Sequence, residues 1–474
     1  MNNNPLLNTF QTPFQVPPFE DIQDEHYLPA IDEAIEANRS EIKDIVERQE
    51  VPSFENTIEA LELAGGQLDA ISSVLFNLNA AETTDELQKI TQGASEKLTA
   101  FSNEIKQNEL LFARIASVHE NIGALDLTTE QRMLLEKTYK GFVRSGAALG
   151  EEAKKRFKEI SLELSKLTLT FGENVLAETN DFKLVVEDER QLSGLPDDVI
   201  ARAGALGKEE GVEGKWLFTL QAPSYIPFMQ YANDRALREE MFRAYMSKAN
   251  RANDKNNGEL VRQIISLRAE MAELLGYETY AEYVLEERMA KRPKEVLSFL
   301  DDLLEKSVRT AREEVDELQA FVRESGYDYE LQRWDWAYFS EKLKKKKFDF
   351  DDEQLKPFFK LEHVIHGVFQ TAERLFGITF KENKEIPVYH EDVQAYEVWE
   401  GGAMKAVFFA DFFPRKGKRP GAWMTSYRDQ KKTEAEKILP IVSIVCNFTP
   451  SSEEHPSLLK FDEVLTLFHE FGHA

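Results

Sequence analysis

Phe461-Asp462-Glu463-Val464-Leu465-Thr466-Leu467-Phe468-His469-Glu470-Phe471-Gly472-His473-Ala474 carries a His-Glu-x-x-His spacing, and the chain stops one residue after it. At about 100° per residue on a helix, Val464, Leu467, Phe468 and Phe471 fall on one stripe. Thr466, His469, Glu470 and His473 gather on the other side, so the pattern predicts a helix that docks an apolar face and presents a polar one. Imidazoles four positions apart stand one turn above each other, and both can reach one zinc ion about 2.0–2.1 Å from each ring nitrogen. Glu470, beside them, is suited to take a proton from an attacking water and pass it to a leaving amine while a metal polarises the scissile carbonyl. A chance motif need not set its three residues opposite an apolar stripe, and that segregation favours the metal reading over an ordinary surface helix. A catalytic zinc takes three protein ligands and keeps one position open, and this stretch supplies two of them.

The rest of the chain reads as scaffold. Its 474 residues suffice for two to four domains, and 42% hydrophobic content can fill their cores. A net charge of −27 argues against general affinity for nucleic acid or anionic membranes. Cys446 is the single cysteine, which excludes an intrachain disulfide and a cysteine-rich zinc site and suits a reducing compartment. The first thirty residues, a Pro-rich arm from Met1 through Pro17-Pro18, lack a basic start and a continuous apolar run, so no secretory signal is expected. No stretch reaches the ~20 apolar residues of a membrane span. A cytoplasmic monomer is the expectation.

From the arm to about Asn174 the periodicity is helical, as in Tyr27-Leu28-Ala30-Ile31-Ala34-Ile35 and in Ile58, Leu61, Leu68, Ile71 and Leu75. Ser53 with Asn56 and Ser95 with Leu98 read as helix starts, and Gly65-Gly66 interrupts the second pattern. Two short runs, Phe182–Val186 and Trp216–Leu220, read as a small β excursion. Helical signals resume at Ala236, which puts a domain boundary near residue 230: an amino-terminal helical domain over 1–229 and a second domain over 230–474. The run Lys344–Lys347 reads as a solvated helix end. His363 and His366 share a helix face, yet nothing acidic completes a metal site at ligand spacing. The cluster Trp334-Asp335-Trp336-Ala337-Tyr338-Phe339 reads as core. From Pro387 strands are expected at Val388–His390, Ala395–Trp399, Ala406–Ala410 and Ile441–Cys446, with Gly401-Gly402 as a hairpin turn. A small sheet beside the motif helix offers an edge strand on which an extended peptide can lie.

With these residues in hand, the carboxyl-terminal quarter resembles the M3 family of zinc metallopeptidases. The matching words are Lys418-Arg419-Pro420-Gly421-Ala422-Trp423-Met424, Val445-Cys446-Asn447-Phe448, and Leu459-Lys460-Phe461-Asp462-Glu463-Val464 leading into the motif. Phe54-Glu55-Asn56-Thr57 and Trp334-Asp335-Trp336 with Tyr338 extend the likeness along most of the chain. The resemblance implies a mainly α, two-lobed, zincin-like fold flanking a deep channel, with a small β-sheet next to the motif helix. It implies one zinc ion held by His469 and His473, Glu470 as general base, and a third ligand, a glutamate, beyond Ala474. On that basis the 474 residues are expected to be an incomplete chain that is inactive alone, and substrate-binding residues are not assigned. The implied substrates are short peptides. The wording around Pro420 and Cys446 leans towards the branch that releases carboxyl-terminal dipeptides, with internal cleavage of short peptides as the alternative. A non-catalytic helical fragment that binds peptides, and a zincin of another family with a third histidine, are the rival readings.

Overall fold

A computed structural model describes residues 4–433, 437–451 and 456–474. The arm's Met1, Asn2 and Asn3 lie outside the described residues. The chain groups into two compact units that interleave along the sequence: one takes residues 1–79, 83–172 and 258–297, the other 80–82, 173–257 and 298–474. The sequence had suggested one consecutive division near residue 230. Two of the divides fall inside the long helices Glu151–Asp181, directly after Gly172, and Pro293–Glu324, between Leu297 and Ser298.

The first unit is helical. Asp24–Val46, Asp85–Lys106, Glu109–Glu120 and Thr129–Arg144 supply its principal helices. Ile42, Ile45, Phe54, Ile58, Leu111, Ile115, Leu135 and Phe142 form a common core, because each helix brings apolar residues at three- and four-residue spacing. The Ser53 reading holds: Ser53 Oγ accepts from the Asn56 N–H at 3.2 Å and Asn56 Oδ1 accepts from the Ser53 N–H at 2.9 Å, a reciprocal cap. Buried Arg114 then donates to Asn56 Oδ1 and Thr57 Oγ1, which explains the Phe-Glu-Asn-Thr word as a helix start pinned from a neighbouring helix. Ser95 is a correction. It lies buried in the middle of Asp85–Lys106, whose true cap is Thr84, accepting from the Leu87 N–H at 3.0 Å. Gly65 has φ +82°, a left-handed backbone, and a Cβ there would stand 2.3 Å from Asn38 Nδ2, so glycine is favoured at this turn before Gly66–Ala81. Farther on, Phe157 and Ile160 pack with Leu267 and Met271 of Gly258–Leu274, and Arg156 grips Glu270 at 2.6 and 2.8 Å.

The second unit holds every strand among the described residues. β1 (Leu184–Val186) and β2 (Trp216–Phe218) pair antiparallel, as the two short runs led one to expect. A five-stranded mixed sheet follows from β3 (Ile378–Glu382), β4 (Gln394–Glu400), β5 (Ala403–Asp411), β6 (Trp423–Arg428) and β9 (Ile441–Val445), with the two-residue strands β7 (Lys431–Lys432) and β8 (Lys437–Ile438) apart from it. Its order is β3-β4-β5-β9-β6, antiparallel throughout except for the parallel β5–β9 pair. Gly401 and Gly402, at φ +56° and +82°, make the β4–β5 hairpin turn that needs two left-handed residues. The expected strand at Val388–His390 is a bend, because Tyr389 is drawn off to donate its hydroxyl to Asp411 at 2.7 Å. β3 and β6 were not foreseen. β9 is buried at all five positions and so shows no alternation. On this sheet lie the helices Leu361–Phe376 and Phe461–His473, sharing a core of Val364, Ile365, Val368, Phe408, Ile444, Cys446, Val464 and Leu467.

The remaining sequence landmarks resolve into structure. Asp335, fully buried, accepts from Arg235 and from Arg238, itself fully buried, and Tyr338 and Phe339 are core as expected, but Trp336 is 42% exposed and lies outside it. Lys344, Lys345, Lys346 and Lys347 close the helix Trp336–Phe348, each facing a carboxylate. Among the described residues no helix is long and apolar enough to cross a membrane.

Candidate active site

The motif helix is anchored at its start. Glu463 accepts from the Lys460 N–H at 2.8 Å through one oxygen and from the Thr449 N–H and hydroxyl at 2.7 and 3.0 Å through the other, tying the first turn to the segment after β9. The Leu361 N–H donates to Ser457 O, and the Leu459 N–H to Phe359 O, so the approach to the helix is stitched to the start of Leu361–Phe376. Asp462 and Glu463 also oppose the helix dipole favourably in the first turn.

The docked arc is rotated from the one expected. Val464 and Leu467 are buried and Phe471 packs partly on the sheet aromatics, but Phe468 is 41% exposed and Glu470 only 8%. The reason is angular: Glu470 sits about 60° from Leu467 around the helix and Phe468 about 100°, so an arc centred on Leu467 takes the glutamate first. Glu470 therefore lies at the border of the docked face, near enough to buried Cys446 to help raise its thiol pKa, although burial is the main cause. Its carboxylate has no hydrogen-bond or ion-pair partner among the described residues.

His469 and His473 are exposed and face each other, Nε2 to Nε2 3.2 Å, rings at 87°. The edge of a tetrahedron with bonds of about 2.0–2.1 Å is about 3.3 Å, so the two nitrogens stand where two corners of a zinc site belong. Neutral imidazoles are also apt donors for that ion, and the pair fits as half of its ligand set. Among the described residues no group of three His, Cys, Asp or Glu stands close enough to hold a metal. His363 and His366, three apart on Leu361–Phe376, are exposed and gather no third donor either.

The profile described as Peptidase family M3 matches residues 228–474, and the dipeptidyl carboxypeptidase of Escherichia coli (strain K12) is 37% identical over 473 residues, 99% of this chain and 69% of that one. The chain belongs to peptidase family M3. Oligopeptidase A of the same organism is 36% identical over 478 residues, again 99% of this chain and 69% of the relative. A solved structure titled "PZ peptidase A with inhibitor 2" superposes with a TM-score of 0.50 at 13% identity, over 96% of this chain and 64% of that one, which supports the mainly helical fold alone. The M3 words acquire physical meanings in the second unit. Lys418, fully buried, donates to Asp411 Oδ1 at 2.7 Å, and Arg415 and Tyr389 complete the shell around that carboxylate. Asn447 donates to the carbonyls of Arg419 and Gly421 at 3.0 and 2.7 Å and holds the turn that leads into β6. β6, last in the strand order, touches the motif helix. Sequence reasoning missed one residue beside the M3 motif. Lys460 reaches Gln230 Oε1 at 3.1 Å across 230 positions of sequence, a pairing that no local spacing announces.

Proposed function

We propose that His469 and His473 hold a zinc ion and that Glu470 is the general base of a peptidase acting on short peptides. The observation that carries this is the 3.2 Å approach of the two Nε2 atoms on the presented face of an M3 motif helix. When bound, the ion polarises the scissile carbonyl and favours attack by water. Glu470, next in sequence to one ligand, takes the water's proton and returns it to the departing amine. Its carboxylate, buried with no ion-pair partner among the described residues, is free for that exchange. β6 offers a place at the sheet margin where an extended substrate can add backbone hydrogen bonds. The third ligand is proposed to be a glutamate outside these 474 residues. Cytoplasmic action suits the buried, unpaired Cys446.

For the mode of cleavage we propose release of carboxyl-terminal dipeptides, supported by the wording around Pro420 and Cys446. Likeness of 37% to a dipeptidyl carboxypeptidase and 36% to an oligopeptidase A is even-handed between the modes. Mass spectrometry of an eight-residue peptide digested by a form of the protein with a full ligand set tests the proposal: successive loss of dipeptides is expected. Equal cleavage inside carboxyl-amidated peptides would transfer the chain to the internal mode. A second reading, peptide binding without hydrolysis, is favoured by the absence of a third donor among the described residues. Binding with no fragments at saturating zinc, in a form of the protein with a full ligand set, would select it.

A further inference from the structure

Beside the first two turns of the motif helix, entirely within the second unit, lies a cavity of about 330 Å³ lined by Gln230, Tyr231, Asp352, Gly421, Lys460 and Thr466, among others. Its position along the helix is informative. Asp462, Thr466, His469 and His473 follow one another at spacings of four, three and four, so the cavity opens on the face that presents the histidine pair. Along the axis Lys460 and His469 are about 14 Å apart, the length of about four extended residues.

The charges in its wall are unequal in their commitments. Asp352 is paired with Lys344 at 2.6 Å, and Glu463 is occupied by Thr449 and the Lys460 N–H. Asp462 is exposed to water. Lys460 has one side-chain hydrogen bond, to Gln230, and no carboxylate within ion-pairing distance among the described residues. Nearby Lys356 spends its charge on Asp198 and Glu353. Burial, seconded by Lys356, lowers the Lys460 pKa to about 8, which leaves it mostly cationic at neutral pH with two donors uncommitted.

We propose that this cavity is a subsite for a peptide carboxylate, recognised by the Lys460 ammonium. The proposal rests on the peptidase reading for its substrate class. The carboxylate belongs either to the free carboxyl terminus or to an acidic side chain within about four residues of the scissile bond.

The test is fluorescence anisotropy of amino-terminally labelled hexapeptides on the 474-residue chain, with free-acid and amidated ends compared. A second series of amidated peptides carries Glu or Gln at each of the last four positions. One anionic peptide is expected to bind about tenfold more tightly than its neutral twin, the worth of a charge-assisted hydrogen bond. Lys460→Met should erase the preference and Lys460→Arg retain part of it, with circular dichroism melts confirming that both fold. A free-acid preference assigns the terminus, and a Glu preference assigns the side chain. No preference in the unsubstituted chain, no binding at all, or a preference that survives Lys460→Met overturns the subsite. Mass spectra keep the two readings apart: in the 474-residue chain, preference without fragments supports the subsite and fragments without preference sink only the subsite, whereas hydrolysis fails only if a form of the protein with a full ligand set yields no fragments.

Discussion

Two regions of the second unit bury charge in opposite ways. At the end of β5, Asp411 is fully buried with Lys418, Arg415 and the Tyr389 hydroxyl all directed at it, and Arg415 also meets Glu82. Along the motif helix, Lys460 has one neutral partner and Glu470 has none among the described residues. The lysines in the two places both have pKa values lowered to about 8, with burial the leading cause. Equal shifts therefore do not mean equal roles. A buried charge whose donors and acceptors are all satisfied holds the fold together, whereas one left short of partners is kept at a cost in stability that function has to justify.

Substitution at Glu470 should break that comparison most visibly. In a form of the protein with a full ligand set, Glu470→Gln is expected to lower peptide turnover by about 10²–10⁴ while zinc content and folding stay intact. Full activity with normal zinc content would remove Glu470 from proton transfer. Next in size, Asp411→Ala leaves buried Lys418 without a carboxylate and Arg415 with Glu82 alone, and should cost about 3–5 kcal/mol in denaturant unfolding. A loss below about 1 kcal/mol would show that the network is dispensable.

The third expectation sharpens the contrast at the histidines. Calorimetric titration should show weak zinc binding by the 474-residue chain, abolished by His469→Ala or His473→Ala and untouched by replacing His363 and His366. Stoichiometric nanomolar binding would mean that another residue of this chain completes the site. Smallest is the effect of Lys460→Met, which at pH 7 should stabilise the chain by about 1 kcal/mol, since it removes a half-buried cation with no ion-pair partner among the described residues. The sign with pH follows from proton counts. Folded Lys460 releases its proton near pH 8 and the unfolded residue near about 10.4, so across that window the unfolded state holds more protons and wild-type stability climbs. The variant's advantage should shrink over the same range in thermal melts; a constant difference would show that Lys460 is solvated.

Much of this was legible in the residues. The amphipathic period from Val464 to Phe471 announced a docked helix, and the i, i+4 histidines announced an ion-sized gap, because a helix converts spacing into distance without help from the rest of the chain. Gly401-Gly402 announced its hairpin for a similar reason, the left-handed backbone that such a turn demands. Ser53 and Asn56 announced a cap that closes over three residues.

What stayed hidden is whatever depends on distant neighbours. Tyr389 left an expected strand because Asp411 needed a donor. The parallel pairing of β5 with β9 joins segments whose patterns alone give no partner. The docked arc of the motif helix turned towards Glu470 because the sheet, not the helix, chose its contact line. Lys460 gained its meaning only when Gln230 and the β6 turn closed a cavity around it. Local periodicity by itself determined which faces exist and which chemistry the motif helix can offer. Burial and ion pairing are properties of the space between segments, and only the tertiary structure decided which charges would be satisfied and which left open.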